Sequence, residues 1–425
     1  MDMDFSRRKF IRNAGLTLGA ASLMDSSLLA ADNKSETIKQ FQDFSTEQDY
    51  WEWIRQSYTV SANITNLNNG GVSPQPKVVQ EVFENYNRLS NEGPSYYMWR
   101  ILDKGREALR SNLAELAGCD ADEVAIHRNS TEALDTIIFG LNLEKGDEVI
   151  VTNYDYPNMR NAWLQREKRD GIKLVWVSVP LVTESEDELV NIYANAITGK
   201  TKIIHITHII NWTGQILPAK KITELAHEKG IEVVLDAAHS FAHIQFSLHD
   251  LGVDYAGTSL HKWLCAPFGT GMLYVKKDKI KTIWPIFPND KPDGEDIRKY
   301  EALGTRSFPA EMAIGRAISF HQSIGSERKQ NRLKFLQEYW TSKVKQHPKI
   351  KFYTPLGNNS SCAIATVGIE GMQAGEIESK LFDKRGIHTV AIIWEGVNGI
   401  RVTPHVYTST SDLDNLVEGL LELAG

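Results

Sequence analysis

Between Glu148 and Val275 the chain alternates short apolar, β-branched runs with helical stretches, and this pattern limits the fold more than any other feature. Glu148–Asn153 (E-V-I-V-T-N), Lys173–Val179, Lys202–Ile209 (K-I-I-H-I-T-H-I) and Ile231–Asp236 (I-E-V-V-L-D) read as strands, with shorter ones at Tyr255–Thr258 and Gly271–Val275. Met159–Arg169 and Ala219–Lys229 read as helices, the second closed by Gly230 as a C-cap. Runs that are apolar throughout bury both faces of a strand, and parallel neighbours need a crossover helix between them. The expected class is therefore α/β, with a mostly parallel sheet covered on both sides. Upstream, a helix starts near Pro76 and a longer one runs from about Ile101 to Ala117, after a turn-rich loop at Asn66–Pro74. Downstream, a long helical stretch covers about Ala310 to Gln346. A smaller unit follows, with strands near Ser361–Gly368, His388–Ile393 and Ile400–Thr403 and helices at Ala374–Arg385 and Asp412–Leu423.

A chain of 425 residues with this pattern suggests two domains. A formal charge of -7 offers no basic face for nucleic acid. The three cysteines, Cys119, Cys265 and Cys362, show no C-x-x-C and no spacing suited to a metal. They read as small buried apolar residues, with a Cys119–Cys362 pair left open. Residues 1–31 differ in kind. Ser6-Arg7-Arg8-Lys9-Phe10-Ile11 precedes a weakly apolar run, Ala14–Met24, and small residues at Ala30-Ala31. This resembles a twin-arginine export signal, which implies the twin-arginine translocase as a partner and a periplasmic location. The apolar run is too short to span a bilayer, and no later segment is apolar enough to be a membrane helix. Such export moves folded proteins, often already loaded with a cofactor. Residues 32–65 read as an N-terminal arm.

Ligands of open parallel sheets bind beyond the carboxyl ends of the strands. The loops there hold Asn153-Tyr154-Asp155-Tyr156, His208-Ile209-Ile210-Asn211, Asp236-Ala237-Ala238-His239 and Ser259-Leu260-His261-Lys262. Asp236 ends an apolar strand, so its carboxylate needs a cation or hydrogen bonds, unless it merely caps the next turn. Lys262 precedes the apolar, glycine-rich W-L-C-A-P-F-G-T-G, where desolvation would favour a nucleophilic amine over an ordinary salt bridge. A lysine for a Schiff base, a carboxylate for a pyridinium nitrogen, and hydroxyls at a helix start for a phosphate together suit pyridoxal phosphate (PLP). His243 and His249 follow His239 without a carboxylate partner in the pattern, and no metal is expected.

Six motifs from Asn66 onward carry a family resemblance. They are N-S-T-E-A (Asn129 to Ala133), H-I-I-N-W-T-G (His208 to Gly214), D-A-A-H, S-L-H-K, L-G-T-R (Leu303 to Arg306) and I-R-V-T-P-H-V-Y (Ile400 to Tyr407). In this order and spacing the chain resembles the fold-type I, class V aminotransferases, a group that includes cysteine desulfurases and isopenicillin N epimerase-like enzymes. The resemblance implies a large PLP-binding domain (66–310) with a mostly parallel seven-stranded sheet, a smaller C-terminal α/β domain (311–425), and a homodimer. It implies Lys262 as the Schiff-base lysine and general acid/base, and Asp236 on the pyridinium nitrogen. It places Asn211 and His239 near the ring hydroxyl, and Ser130, Thr131, Ser259 and His261 on the phosphate. Thr305 would reach a phosphate across the dimer interface, and Arg401 would take the substrate α-carboxylate. Relatives often stack a histidine on the ring from the loop after Asn153. Here that loop reads N-Y-D-Y-P-N, so Tyr154 is expected to stack, with Tyr156 as the alternative.

Cysteine desulfurases need a nucleophilic cysteine shortly before the C-terminal arginine, and His388–Arg401 contains none. The expected activity is therefore of the aminotransferase type, at the Cα of an amino acid. Epimerisation and C–S lysis are the alternatives, since both start from the same Cα deprotonation. A non-catalytic exported binding protein would not need Lys262, Asp236 and Arg401 together.

Overall fold

The computed structural model describes residues 46–425; the expected twin-arginine signal and the first part of the expected N-terminal arm lie outside the described residues. The part of the arm that is described contains a helix at Glu47–Gln56. In chain order, α1 (Lys77–Glu92) and α2 (Asp103–Ala117) precede β1 (Val124–His127), α3 (Ser130–Gly140), β2 (Glu148–Thr152), α4 (Pro157–Asp170) and β3 (Lys173–Val177). Next come α5 (Glu186–Ala196), β4 (Thr201–Thr207), α6 (Ala219–His227), β5 (Glu232–Asp236), β6 (Tyr255–Ser259) and β7 (Gly271–Val275). These strands form one seven-stranded sheet in the order β1-β7-β6-β5-β4-β2-β3. Within it β7 runs antiparallel to both its neighbours, and the other pairings are parallel. The mostly parallel α/β sheet expected from the apolar runs is thus present.

After it come α7 (Phe308–Ile324), α8 (Ser326–Val344), β8 (Ile350–Phe352), β9 (Ala365–Ile369), α9 (Ala374–Arg385), β10 (Val390–Trp394), β11 (Val397–Val402) and α10 (Thr410–Ala424). Strands β8 to β11 form an antiparallel sheet in the order β10-β11-β9-β8. The long helical stretch is in fact two helices, broken at Gly325, whose φ of +88° no side-chain-bearing residue adopts readily. All three cysteines are free, so Cys119 and Cys362 do not pair. Among the described residues no helix is long and apolar enough to cross a membrane.

Successive strand residues point to opposite faces of the large sheet. Ile204, Ile206, Val233 and Leu235 enter one apolar core, whereas Val149, Val151, Ile203 and Val234 enter another with Leu134, Ile137 and Trp163 of α3 and α4. Edge strand β1 has only four residues and was not foreseen. Its Ile126 N–H donates to the Glu301 carboxylate at 2.7 Å, and Arg110 grips the same carboxylate at 2.6 and 3.0 Å. Burial would raise the Glu301 carboxyl, but Arg110 and Arg106 outweigh it and hold it below the usual range.

Helix α3 lies unusually close to the sheet. A Cβ on Gly257 of β6 would stand 2.7 Å from Leu134 Cγ, and one on Gly271 of β7 would stand 2.5 Å from the Asn129 backbone nitrogen. Asn129 caps α3 by accepting from Glu132 N at 2.8 Å, so the helix start is fixed where those glycines let it approach. Gly271→Ala should destabilise the fold by about 1–3 kcal/mol, because the clash is with backbone that cannot rotate away. Urea unfolding should show a lower midpoint at unchanged slope; an unmoved midpoint would mean the approach is looser than described.

Candidate active site

The carboxyl ends of β2, β4, β5 and β6 and the start of α3 bring the expected residues to one edge of the large sheet. In the turn after β6, Lys262 Nζ lies 3.2 Å from His239 Nε2 and 5.7 Å from the centre of the Tyr156 ring. Lys262 is half-buried as a residue, and lost hydration of its amine lowers the pKa to about 8. Asp236 pulls the value upward and Arg401 pushes it further down. Burial holds His239 well below its ordinary value, and the neighbouring Lys262 and Arg401 charges add to this. His239 is therefore a neutral imidazole whose Nε2 accepts from the lysine, while its Nδ1 has no partner. Asp236 is buried and accepts from Ala238 N at 2.9 Å. Burial raises its carboxyl; His205, the Ala238 N–H and Lys262 oppose the rise, and Asp155 reinforces it.

The opposite end of the cluster suits an anion. Ser259 Oγ accepts from Ser130 N at 2.8 Å and lies 3.0 Å from Ser130 Oγ, which joins the end of β6 to the first turn of α3. That turn carries the positive end of the helix dipole. Thr131, next on the helix, accepts from Asn158 at 3.4 Å. His261 lies 3.1 Å through Nδ1 from the Thr270 carbonyl; burial, then Lys262, pushes its pKa down to about 4. Thr305 is exposed on the segment before α7.

Arg401 on β11 is buried and donates to the Asn211 carbonyl at 3.1 Å and to Asn68 Oδ1 at 2.9 Å. Among the described residues it has no carboxylate partner, and burial lowers its pKa to about 10. Arg401 Nε, Asn211 Oδ1 and His239 Nδ1 are buried polar atoms without hydrogen-bond partners. Each such atom is costly, and a polar ligand would satisfy them. An amine, a carboxylate, a helix start with hydroxyls, and these orphaned atoms together fit PLP. His243 has both ring nitrogens engaged, by the His239 carbonyl at 2.7 Å and Ala363 N at 3.0 Å, and so offers nothing to a metal.

The two tyrosines separate. Tyr154, expected to stack, is buried, and its hydroxyl donates to the Glu395 carbonyl at 2.9 Å. Tyr156 is the one whose ring faces Lys262, and it is 39% exposed. The segment before Arg401 is a tight hairpin: Glu395 and Gly396, at φ +45° and +82°, join β10 to β11. Trp394 Nε1 donates to the Asn153 carbonyl at 2.8 Å, so the hairpin is tied to the tyrosine loop at two points. Cys362 lies elsewhere, 3.8 Å from the Gln330 carbonyl, and burial pushes its thiol up to about 12. Two site residues were not foreseen. Asn68 was read only as part of a turn. Asp155 is fully buried and accepts from Thr152 N at 2.7 Å and from the hydroxyls of Thr152 and Thr207 at 3.0 and 2.8 Å. Its position just past a strand end was the available signal.

Comparison with known proteins agrees with this geometry. A model of the family described as aminotransferase class-V matches residues 65–416. The chain is 24% identical over 392 residues to isopenicillin N epimerase of Streptomyces clavuligerus, covering 88% of this chain and 98% of that protein. It is 26% identical over 382 residues to a probable cysteine desulfurase of Synechocystis sp., covering 83% and 89%. Among solved structures it is similar to the cystine C–S lyase C-DES in complex with its reaction product cysteine persulfide, with a TM-score of 0.77 and 23% identity over 84% of this chain and 97% of that one. The cysteine desulfurase CsdA of Escherichia coli gives a TM-score of 0.78 at 20% identity, over 88% and 98%.

The lysine can be tested before any ligand is involved. In protein stripped of cofactor, competitive acylation read by mass spectrometry should label Lys262 with a midpoint near pH 8. Lysines on the surface should titrate near their ordinary value of about 10.4. A Lys262 midpoint in that ordinary range would contradict the desolvated environment.

Proposed function

The chain belongs to the class-V aminotransferase family of PLP-dependent enzymes, and from that premise we propose that it is an aminotransferase-type enzyme acting at the Cα of an amino acid. The observation that carries the reading is the Lys262 amine, brought to a pKa of about 8 and set between His239, Asp236 and Arg401. When bound, PLP supplies an electron sink for the pair left at Cα. Lys262 is the amine that would hold the cofactor aldehyde, and with a pKa of about 8 it would suit moving a proton at Cα near neutral pH. Asp236 holds the ring nitrogen, and Asn211 Oδ1 and His239 serve the ring hydroxyl. Ser130, Thr131, Ser259 and His261 hold the phosphate, and Thr305 reaches the phosphate of a second copy in a homodimer. Tyr156, rather than Tyr154, covers the ring. Arg401 already spends two donors on neutral oxygens, and a substrate carboxylate is the stronger acceptor. The pinned hairpin before Arg401 has no cysteine to deliver, which disfavours desulfuration. Epimerisation is the second reading, favoured by the likeness to isopenicillin N epimerase along nearly all of that protein's length.

Purified protein should show the visible absorbance of a lysine-bound PLP, and Lys262→Ala should abolish it. A colourless protein that added PLP does not colour would sink the proposal. With L- and D-amino acids and keto acids, amino transfer that depends on the keto acid supports the first reading. Solvent deuterium entering Cα with loss of chirality supports the second. Arg401→Gln should raise KM for the amino acid about tenfold or more while leaving the absorbance in place. The leader is proposed to send the folded, loaded enzyme to the periplasm. Arg7→Lys with Arg8→Lys should then retain it in the cytoplasm, and unchanged fractionation would remove that part of the reading.

A further inference from the structure

One buried titratable group is not used by this mechanism. His205 lies in the middle of β4, is fully buried, and neither ring nitrogen has a hydrogen-bond partner. An imidazole in that state is costly next to the isoleucines on either side of it, so packing alone does not account for it. We propose that His205 is a positioning residue for Asp236: it sits behind the carboxylate and keeps it anionic toward the cofactor's ring nitrogen. This rests on the PLP reading above.

The placement follows from strand register. Thr207 pairs with Asp236, and His205 pairs with Val234 one layer below. Paired residues of neighbouring strands share a face, so His205, Thr207 and Asp236 lie on the face that packs against α4. There the His205 ring meets the edge of Trp163 at 6.3 Å between centres. Val234 and Asp236 are successive residues of β5 on that face, so the imidazole lies one step along the same face from the carboxylate. Four groups act on the Asp236 carboxylate. The Ala238 N–H donates to it, Lys262 attracts it from the turn after β6, Asp155 repels it from the loop after β2, and a proton on His205 would attract it from below. Asp155 is itself tied to Thr152 and Thr207, so it stays in place as a like charge. With an apolar residue at 205, burial and Asp155 would favour a protonated Asp236. A carboxylic acid there would no longer support a protonated ring nitrogen, and that proton is what makes the ring withdraw electrons.

The test uses PLP labelled with ¹⁵N in the ring and follows that nitrogen by NMR across pH in the loaded full chain. The wild type should keep the nitrogen protonated. His205→Phe should lose that proton at a pH about one unit lower while the visible absorbance of bound PLP persists. His205→Gln, which keeps a polar group in less space, should shift in the same direction by less, and it carries the test if the phenylalanine variant does not fold. A coloured His205→Phe or, failing that, His205→Gln protein whose nitrogen titrates as in the wild type overturns the inference and leaves the proposed function standing. A wild type that takes up no PLP overturns both.

Discussion

Two missing side chains set the geometry of the site. Because Gly257 and Gly271 present only backbone, α3 settles onto β6 and β7 and its first turn abuts the end of β6. The Ser130 N–H then reaches the Ser259 hydroxyl, and the positive end of the helix meets the strand whose following turn carries Lys262. Had either glycine a Cβ, the helix would ride higher on the sheet, and anion-binding and amine-bearing elements would part. The reactive arrangement is thus a consequence of helix–sheet packing, decided below the site and not within it.

The electrostatics of the cluster are lopsided. Lys262 and Arg401 are enclosed cations, and burial keeps His239 and His261 neutral instead of adding to their charge. Asp236 and Asp155 are the carboxylates beside them, and the hydration loss of Asp236 and the nearness of Asp155 both work against its ionisation. The proposed ligands would bring negative charge at two places, a phosphate near the start of α3 and a carboxylate near Arg401, which has no carboxylate partner among the described residues.

Much of this was legible in the sequence, for a physical reason. Strands buried on both faces must be apolar throughout, so β2, β4 and β5 announced themselves, and their ends pointed to Asp236 and the loop before Lys262. Short or externally supported elements did not. β1 is held by Ile126 and a carboxylate 175 residues away, and that carboxylate is held in turn by Arg110. No local pattern encodes such a contact. Tyr154 and Tyr156 are two residues apart in a loop, where periodicity does not tell which side faces in, and only the partner at Glu395 separates them. His205 stood in plain view as a polar residue within K-I-I-H-I-T-H-I, yet its meaning depends on the register between β4 and β5, which a single strand cannot disclose.

The Glu395–Gly396 hairpin has a consequence for binding entropy. A long, loose segment at this place would have to be ordered each time a substrate entered, and every residue so fixed costs about 1–2 kcal/mol. Here the two turn residues are already confined by strand pairing on both sides and tied to the tyrosine loop by Tyr154 and Trp394. The ordering was done once, when the chain folded. On the proposed function, affinity for an amino acid would therefore carry no recurring conformational toll at this hairpin, and turnover would not wait for it to move.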